Sequence, residues 1–167
     1  MISHLTIDEV YARLLTDKTD MQAHMPRLAE LGCDKSVTEI GFRTGVSAVA
    51  WLHGGCGSLV SIDIRDCPIP EYLREDDRFT FVNGNSREIA PWHTDIVFFD
   101  GDHSFEGVLA DIWHWQEHAV EFLVFHDTHT PKWPGVRWAI NVVLSVGTWK
   151  VKADYKDCYG LTILERA

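Results

Sequence analysis

The sequence predicts an α/β fold with a doubly wound, mostly parallel sheet that ends in an antiparallel β-hairpin. From residue 37 onward, five short apolar runs rich in Val, Ile and Phe alternate with helical stretches. Such runs are typical of strands that are buried on both faces of a sheet. The last two runs, 148–155 and 160–165, are separated only by a short turn at 156–159, which is typical of a hairpin. Repeated β–α units imply a parallel sheet with helices on both faces.

The predicted elements follow one another along a single domain, residues 1–167. N-terminal helices are expected within residues 1–35, where 6–31 carry a loosely helical pattern, and the sheet within 36–167. The five strands are predicted at 37–40, 59–64, 79–82, 95–99 and 121–125. Helices are predicted at 46–52, 105–118 and 135–144, and Ser104 is placed to cap the second of them. We therefore expect five β–α units before the hairpin.

Composition and charge exclude several classes of function. The formal net charge of −10 argues against broad electrostatic binding to nucleic acid or to anionic lipid. The four cysteines are scattered without a C-x-x-C spacing, which argues against a zinc knuckle. The sequence has neither a signal peptide pattern nor an apolar stretch that could cross a bilayer. We expect a cytoplasmic protein with reduced thiols and no membrane partner; a homo-oligomer is compatible with the sequence.

The first predicted strand runs into a loop with two widely spaced glycines. Gly41 and Gly45 would let the backbone turn tightly and approach a ligand, and Ser47 lies in the first turn of the next helix. The spacing is not the G-x-G-x-x-G pattern that a dinucleotide pyrophosphate requires. Glu39 would repel a phosphate but could accept hydrogen bonds. The loop therefore predicts a cofactor that lacks a phosphate and carries an amino-acid tail.

Polar residues also follow the other predicted strands, at the edge of the sheet where ligands bind in such folds. Asp63 ends the second strand and could accept both ribose hydroxyls of either NAD or S-adenosylmethionine (SAM). Acidic and imidazole side chains follow the fourth and fifth strands: Asp100, Asp102, His103, His126, Asp127 and His129. Oxygen-rich clusters suit Mg²⁺ or Mn²⁺, and added imidazole shifts the preference toward Mn²⁺, Fe²⁺ or Zn²⁺.

These stretches resemble the Rossmann-like class I SAM-dependent methyltransferases. The resemblance is closest to small-molecule O-methyltransferases of the catechol O-methyltransferase type and to a bacterial branch with an Asp-Gly-Asp-His-Ser motif. The matching stretches are residues 39–48, 61–63, 99–104 and 125–128. The resemblance implies that Glu39, Gly41 and Ser47 contact the methionine end of SAM. It places the ribose at Asp63 and the adenine near Gly84 and Ser86. The full set expected to bind the cofactor is Glu39, Gly41, Arg43, Thr44, Gly45, Ser47, Asp63, Gly84, Asn85, Ser86 and Asp100.

The same resemblance assigns catalytic roles. It implies that Asp100, His126 and Asp127 hold a divalent metal ion, Mg²⁺ or Mn²⁺, although His126 stands where relatives carry an acid. It implies that His103, three residues after Asp100, is the general base, and histidine titrates close to neutral pH. Trp133, in a proline-rich loop after the fifth strand, could stack on a flat substrate or pack under its own loop.

The predicted function is methyl transfer from SAM to a hydroxyl group of a small-molecule acceptor, with Asp100 and His103 as the catalytic residues. Three alternatives remain open from the residues alone. The chain could be a non-catalytic module that binds SAM, or a nicotinamide-dependent oxidoreductase on a similar sheet, although the glycine spacing argues against the latter. The Asp/His cluster could also serve a metal-dependent hydrolase.

Overall fold

The computed structural model describes residues 5–167 and contains a seven-stranded mixed sheet with helices on both faces. The strands are β1 (Ser36–Ile40), β2 (Ser58–Asp63), β3 (Phe79–Asn83), β4 (Thr94–Phe99), β5 (Ala119–His126), β6 (Trp149–Tyr155) and β7 (Leu161–Arg166). The helices are α1 (Ile7–Leu14), α2 (Met25–Gly32), α3 (Val46–His53), α4 (Glu71–Arg74), α5 (Phe105–Trp115) and α6 (Pro134–Val146). The first four residues of the predicted helical region 1–35 lie outside the described part.

The sheet confirms the predicted fold class. Its strand order is β3-β2-β1-β4-β5-β7-β6, and β1 to β5 are parallel. The hairpin returns β7 antiparallel to β5, and β6 pairs antiparallel with β7 at the sheet edge. Because the chain winds outward in both directions from β1 and β4, a crevice opens at the carboxyl ends of these two strands, where ligands bind in folds of this kind.

The expectation of five β–α units was wrong at one place, since no helix connects β3 to β4. The connection is residues 84–93, and it must run back along the sheet from its edge to the far side of β1. Ten extended residues reach about 33 Å, whereas a ten-residue helix spans only about 15 Å, less than the length of a strand. The short helix α4 was not predicted, and α5 ends three residues before its predicted end.

Alternation along β4 explains why the predicted strands are apolar throughout. Ile96 and Phe98 point into one core cluster, with Trp51 of α3, whereas Val97 and Phe99 point into a second cluster, with Trp115 of α5. Successive side chains of a strand point to opposite faces, so a strand covered on both faces needs apolar residues at every position. Within the described residues, no helix is both long enough and apolar enough to span a bilayer.

The N-terminal helices are held against α3 by a close approach of two backbones. The backbone of Ala29 in α2 lies so near Gly54, which ends α3, that a β-carbon on Gly54 would overlap it. Gly54 has a φ of −67°, which any residue adopts, so its lack of a side chain serves packing and not backbone conformation.

We therefore expect Gly54→Ala to lower the free energy of unfolding by about 1–3 kcal/mol, the usual cost of overpacking. Urea denaturation followed by circular dichroism would measure it. Gly57→Ala is the matched control, because the nearest atom to a β-carbon there, the Lys35 carbonyl oxygen, lies 3.8 Å away. An equal loss of stability in the two variants would contradict the packing argument.

Candidate active site

A cavity of about 830 Å³ lies at the carboxyl ends of the parallel strands. One half is lined by residues that follow β1, β2 and β3, namely Gly41, Arg43, Asp63, Ile64, Arg65, Gly84, Asn85, Ser86 and Arg87. The other half is lined by residues that follow β4 and β5 and by the turn before β7, namely Asp100, Gly101, Asp102, His103, Asp127, Thr130, Lys132, Trp133 and Tyr159. The two halves meet at Gly41 and Asp100.

Asp63 fixes the glycine loop between β1 and α3. One carboxylate oxygen accepts hydrogen bonds from the backbone N–H groups of Phe42 and Arg43, each at 2.9 Å, and the other accepts one from Arg65 at 2.9 Å. Gly41 and Gly45 both have positive φ, +99° and +76°, as the predicted tight turn requires. Asp63 therefore serves the loop conformation and also lines the cavity.

Glu39 lies beneath this loop, fully buried in β1. The hydroxyl groups of Ser47 and Ser61 each donate a hydrogen bond of 2.5 Å to one of its oxygens. Burial raises the pKa of Glu39 to about 8, against the opposing effect of the two serines. Because this pKa lies above 7, the carboxyl group is mostly neutral at pH 7.

The residues predicted to bind the cofactor fall into two groups. Those that line the cavity are Gly41, Arg43, Asp63, Gly84, Asn85, Ser86 and Asp100. Those outside its lining are Glu39, Thr44, Gly45 and Ser47, of which Glu39 and Ser47 are bonded to each other. Contact of either group with a cofactor stays a prediction.

An ion pair between Arg87 and the buried Asp111, which the sequence analysis did not identify, shapes the wall near Ser86. The Ser86 hydroxyl donates a hydrogen bond to Asp111 at 2.7 Å, and Arg87 Nε donates one to the same carboxylate oxygen at 3.0 Å. Arg87 Nη2 reaches Asp102 at 3.2 Å. The only signal in the sequence is an acid on the otherwise apolar face of α5, next to Ile112.

The half of the cavity that follows β4 and β5 contains a compact cluster of two carboxylates and two imidazoles, and His126 lies behind it. His103 Nε2 lies 3.0 Å from an oxygen of Asp127 and 3.5 Å from one of Asp100. Both distances are short enough for ion pairs, but Nε2 makes no well-aligned hydrogen bond with either carboxylate. His126 Nδ1 lies 3.1 Å from Asp100. Asp127 adopts a left-handed backbone conformation, φ 58°, which is uncommon for a non-glycine residue and occurs often at functional sites.

The electrostatics of this cluster favour charged imidazoles. Burial lowers the pKa of His103, but the Asp100 and Asp127 carboxylates outweigh it and raise the pKa to about 9. The pKa of His126 is likewise raised to about 9, again against burial, chiefly by its hydrogen bond with Asp100. Although burial opposes it, the two neighbouring histidines lower the pKa of Asp100. At pH 7, two imidazolium cations therefore balance two carboxylates.

The expected metal ligand set differs from the structure at one position. The ligand atoms of Asp100, His103 and Asp127 lie within 4.8 Å of one another, a set that contains His103 in place of His126. The side chain of His126 is 1% exposed, and its second nitrogen, Nε2, donates a hydrogen bond to the Asp20 carbonyl at 3.2 Å. Both ring nitrogens of His126 therefore have partners in this structure, and its role as a metal ligand stays a prediction. Nothing in the sequence pattern linked His126 to Asp20, which is 106 residues away.

Trp133, expected over a flat substrate or under its own loop, lines the cavity and lies over His103. The two rings are stacked with centroids 5.1 Å apart and an interplanar angle of 22°. His129 does not line the cavity, because its Nε2 lies 2.9 Å from Asp154 on β6. Asp102 lies in the turn before α5 and accepts hydrogen bonds from the backbone and hydroxyl of Ser104, which caps α5.

Comparison with protein families gives one match. A family model described as "Methyltransferase domain" matches residues 38–128, more than half of the 167-residue chain. The matched segment runs from β1 to just beyond β5, and it contains the glycine loop, Asp63 and the Asp/His cluster. No curated protein matches the chain.

Solved structures with the same fold are numerous, but their sequences are distant. An O-methyltransferase from Bacillus cereus in complex with SAH has a TM-score of 0.68 at 13% identity, covering 96% of this chain and 89% of that chain. An SAH-bound methyltransferase from Podospora anserina has a TM-score of 0.67 at 13% identity, covering 96% and 87%. A candidate SAM-dependent methyltransferase from Streptococcus mutans has a TM-score of 0.66 at 10% identity; 87% of this chain aligns, but it spans only 48% of that protein.

Because the folded-state pKa of Glu39 is raised above its ordinary value, the native state holds a proton that the unfolded state releases between about pH 4.5 and pH 8. The contribution of Glu39 to the free energy of unfolding is fully present below about pH 4.5 and is lost as the pH rises to about 8. The side chain in Glu39→Gln is always neutral. From pH 5 to pH 8, we therefore expect the free energy of unfolding to fall by about 2–4 kcal/mol more in the wild type than in Glu39→Gln. Chemical denaturation at the two pH values measures the difference.

Glu117→Gln, the control, makes the same substitution at an exposed position on the turn after α5 and changes no buried group. If Glu39→Gln and Glu117→Gln both follow the wild-type pH dependence, Glu39 is ionised in the native protein and this account of the loop is wrong.

Proposed function

The chain belongs to the methyltransferase-domain family of SAM-dependent enzymes, and on that premise we propose that it methylates a hydroxyl group of a small molecule, with His103 as the general base. One observation carries the proposal: the imidazole of His103 lies beside two carboxylates in the half of the cavity that follows β4 and β5, which would bind the acceptor. A base in this position can take a hydroxyl proton as the oxygen attacks the methyl group.

The half of the cavity that follows β1, β2 and β3 suits SAM. A side chain at Gly41 would overlap the Asp100 backbone, so this part of the wall is bare backbone that a ligand can approach closely. Asp63 would hold the ribose hydroxyls, Gly41 would lie at the methionine end, and Ser86 would lie near the adenine. SAM supplies a methyl group on a sulfonium, so the leaving group is already activated, and SAH is the second product.

His103 moves one proton in this proposal. In the reactive form it is neutral: the buried Nε2 keeps its proton toward Asp127 and Asp100, and Nδ1, the other ring nitrogen, accepts the proton of the acceptor hydroxyl. The oxygens of Asp127 and Asp100, which lie 3.0 and 3.5 Å from Nε2, stabilise the imidazolium that results. His126 neutralises Asp100 from the buried side and fixes its orientation. The proton then passes to solvent, since the side chain of His103 is 21% exposed.

A small molecule is the acceptor class that the charge of the chain favours. The net charge of −10 opposes the phosphate backbone of a nucleic acid. We also infer one domain for the chain, because both apolar clusters pack on the same sheet. Its four free cysteines suit a reducing compartment such as the cytoplasm.

A divalent cation is a second candidate feature of this site, favoured by the donor set. Asp100, Asp127 and His103 offer two carboxylates and one imidazole, a combination that fits Mg²⁺ less well than Mn²⁺, Fe²⁺ or Zn²⁺. Such an ion would bind the acceptor oxygen and lower its pKa. A cation bound at His103 Nε2 would take the place of the proton there and make Nδ1 a much weaker base, so the ligand and base roles of His103 exclude each other.

His103→Ala should lower kcat by about 10²–10⁴-fold, the range typical for loss of a positioned base. Release of SAH with catechol or simple phenols as acceptors, measured by mass spectrometry, provides the assay. SAM affinity should hardly change, since His103 lies in the other half of the cavity. In the wild type, kcat should rise with pH, because His103 must lose its proton before it can act as a base and its pKa is raised to about 9.

His129→Ala is the matched control, because the side chain of His129 is also 21% exposed and paired with an aspartate but does not line the cavity. The assays are run with and without a chelator. Full activity in the chelator supports His103 as the base. Loss of activity in the chelator, restored by Mn²⁺, would assign His103 to the ligand role and contradict the base role. Unchanged activity in His103→Ala would contradict both.

A further inference from the structure

The loop between β5 and α6 folds back over His103 and is braced from within. Thr130, which is buried, receives two hydrogen bonds: its hydroxyl accepts one from the Lys132 N–H at 3.2 Å, and its carbonyl accepts one from the Trp133 N–H at 3.3 Å. Pro134 then begins α6. The backbone of Trp133 is therefore fixed from both sides, by the turn before it and by the helix after it.

Trp133 lies at the centre of a three-part stack. Its ring covers the His103 imidazole at a centroid distance of 5.1 Å, and the Lys132 ammonium lies 4.8 Å from the centre of the same ring. Asp100 and Asp127 hold the other side of His103, at Nε2. The imidazole is thus held at its edge by carboxylates and on one face by an aromatic ring.

A glycine makes this arrangement possible. A β-carbon on Gly135 would overlap the backbone nitrogen of Phe105 and lie 2.9 Å from the carbonyl oxygen of His103. Gly135 therefore lets the first turn of α6 lie directly against residues 103–105. The loop after β5 and the loop after β4 are joined at this point, which brings Trp133 and His103 together although they are 30 residues apart in the sequence.

We propose that Trp133 is a positioning residue that holds the His103 imidazole against the carboxylates of Asp100 and Asp127, and that it is not a platform for the acceptor. One face of the indole is covered by His103, so an acceptor ring has no access to that face. The proposal rests on the base role of His103 for its effect on catalysis, whereas the stack itself can be measured without any acceptor. Small displacements of a catalytic group can cost about 10²-fold in rate, so a base that is free to rotate is a poor catalyst.

Two variants separate the aromatic stack from simple bulk. Trp133→Phe keeps an aromatic ring over His103, and Trp133→Leu keeps an apolar side chain without one. Trp138→Leu is the matched control, since Trp138 lies on α6 a few residues after Trp133, is 59% exposed and, within the described residues, is not among the tryptophans in ring contact with a histidine. The first readout is the proton NMR shift of the His103 ring in the complete protein without acceptor, assigned by its loss in His103→Gln.

The expected result is a downfield shift of the His103 ring protons in Trp133→Leu, because the shielding by the indole face is lost, with a smaller shift in Trp133→Phe and none in Trp138→Leu. The second readout is SAH release with catechol or simple phenols. We expect kcat to fall about 10–100-fold in Trp133→Leu and less than about 3-fold in Trp133→Phe, with KM for the acceptor nearly constant.

Two outcomes would overturn the proposal. An unchanged His103 spectrum in Trp133→Leu would show that the stack does not exist in solution. A rise in KM at constant kcat would show that Trp133 binds the acceptor. If His103→Ala retains full activity, the base role fails by itself, and the NMR shift still decides whether Trp133 holds the ring.

Discussion

The whole site depends on the close approach of two strand ends, at Gly41 and Asp100. Gly41 donates its N–H to the Ile62 carbonyl, and Asp100 donates its N–H to the Ile40 carbonyl, each at 2.8 Å, so the backbones of β1, β2 and β4 stay joined just beyond the sheet. A side chain at Gly41 would separate them. Because this contact brings the loop after β1 against the loop after β4, the half of the cavity that suits SAM and the half that contains His103 share one wall.

Glu39 and Asp100, two acids at the carboxyl ends of β1 and β4, differ in charge because their surroundings differ. Glu39 has no cation beside it, and burial raises its pKa so that it is mostly neutral at pH 7. Asp100 is paired with two imidazoles, which lower its pKa and keep it ionised. Burying unpaired charges would cost several kcal/mol per ion, so the cluster of two carboxylates and two imidazoliums is tolerable only while every member is paired. The buried His126 supplies one of the positive charges that balance the cluster.

The sequence predicted what depends on periodicity and strand order. Runs of apolar residues located all five parallel strands, and the rule that ligands bind at their carboxyl ends brought Asp100, His103 and Asp127 together correctly. The sequence did not predict features that depend on tertiary contacts between distant segments. The hydrogen bond from His126 to Asp20 and the position of Trp133 over His103 are set by loop packing, for which a local pattern carries no signal. Once the strand order is known, the absence of a helix between β3 and β4 is explained, because a helix of ten residues would be too short for this connection.

The most direct test of the central claim is isothermal titration calorimetry of the wild type and of Asp63→Ala with SAH and with NAD. If the cavity between Gly41 and Asp63 is a SAM site, the wild type binds SAH and does not bind NAD, because the wide glycine spacing provides no pyrophosphate cradle. Asp63→Ala should weaken SAH binding by about 1–3 kcal/mol, the cost of leaving hydrogen-bonding groups without partners. Tighter binding of NAD than of SAH, or SAH affinity that is unchanged in Asp63→Ala, would contradict the account.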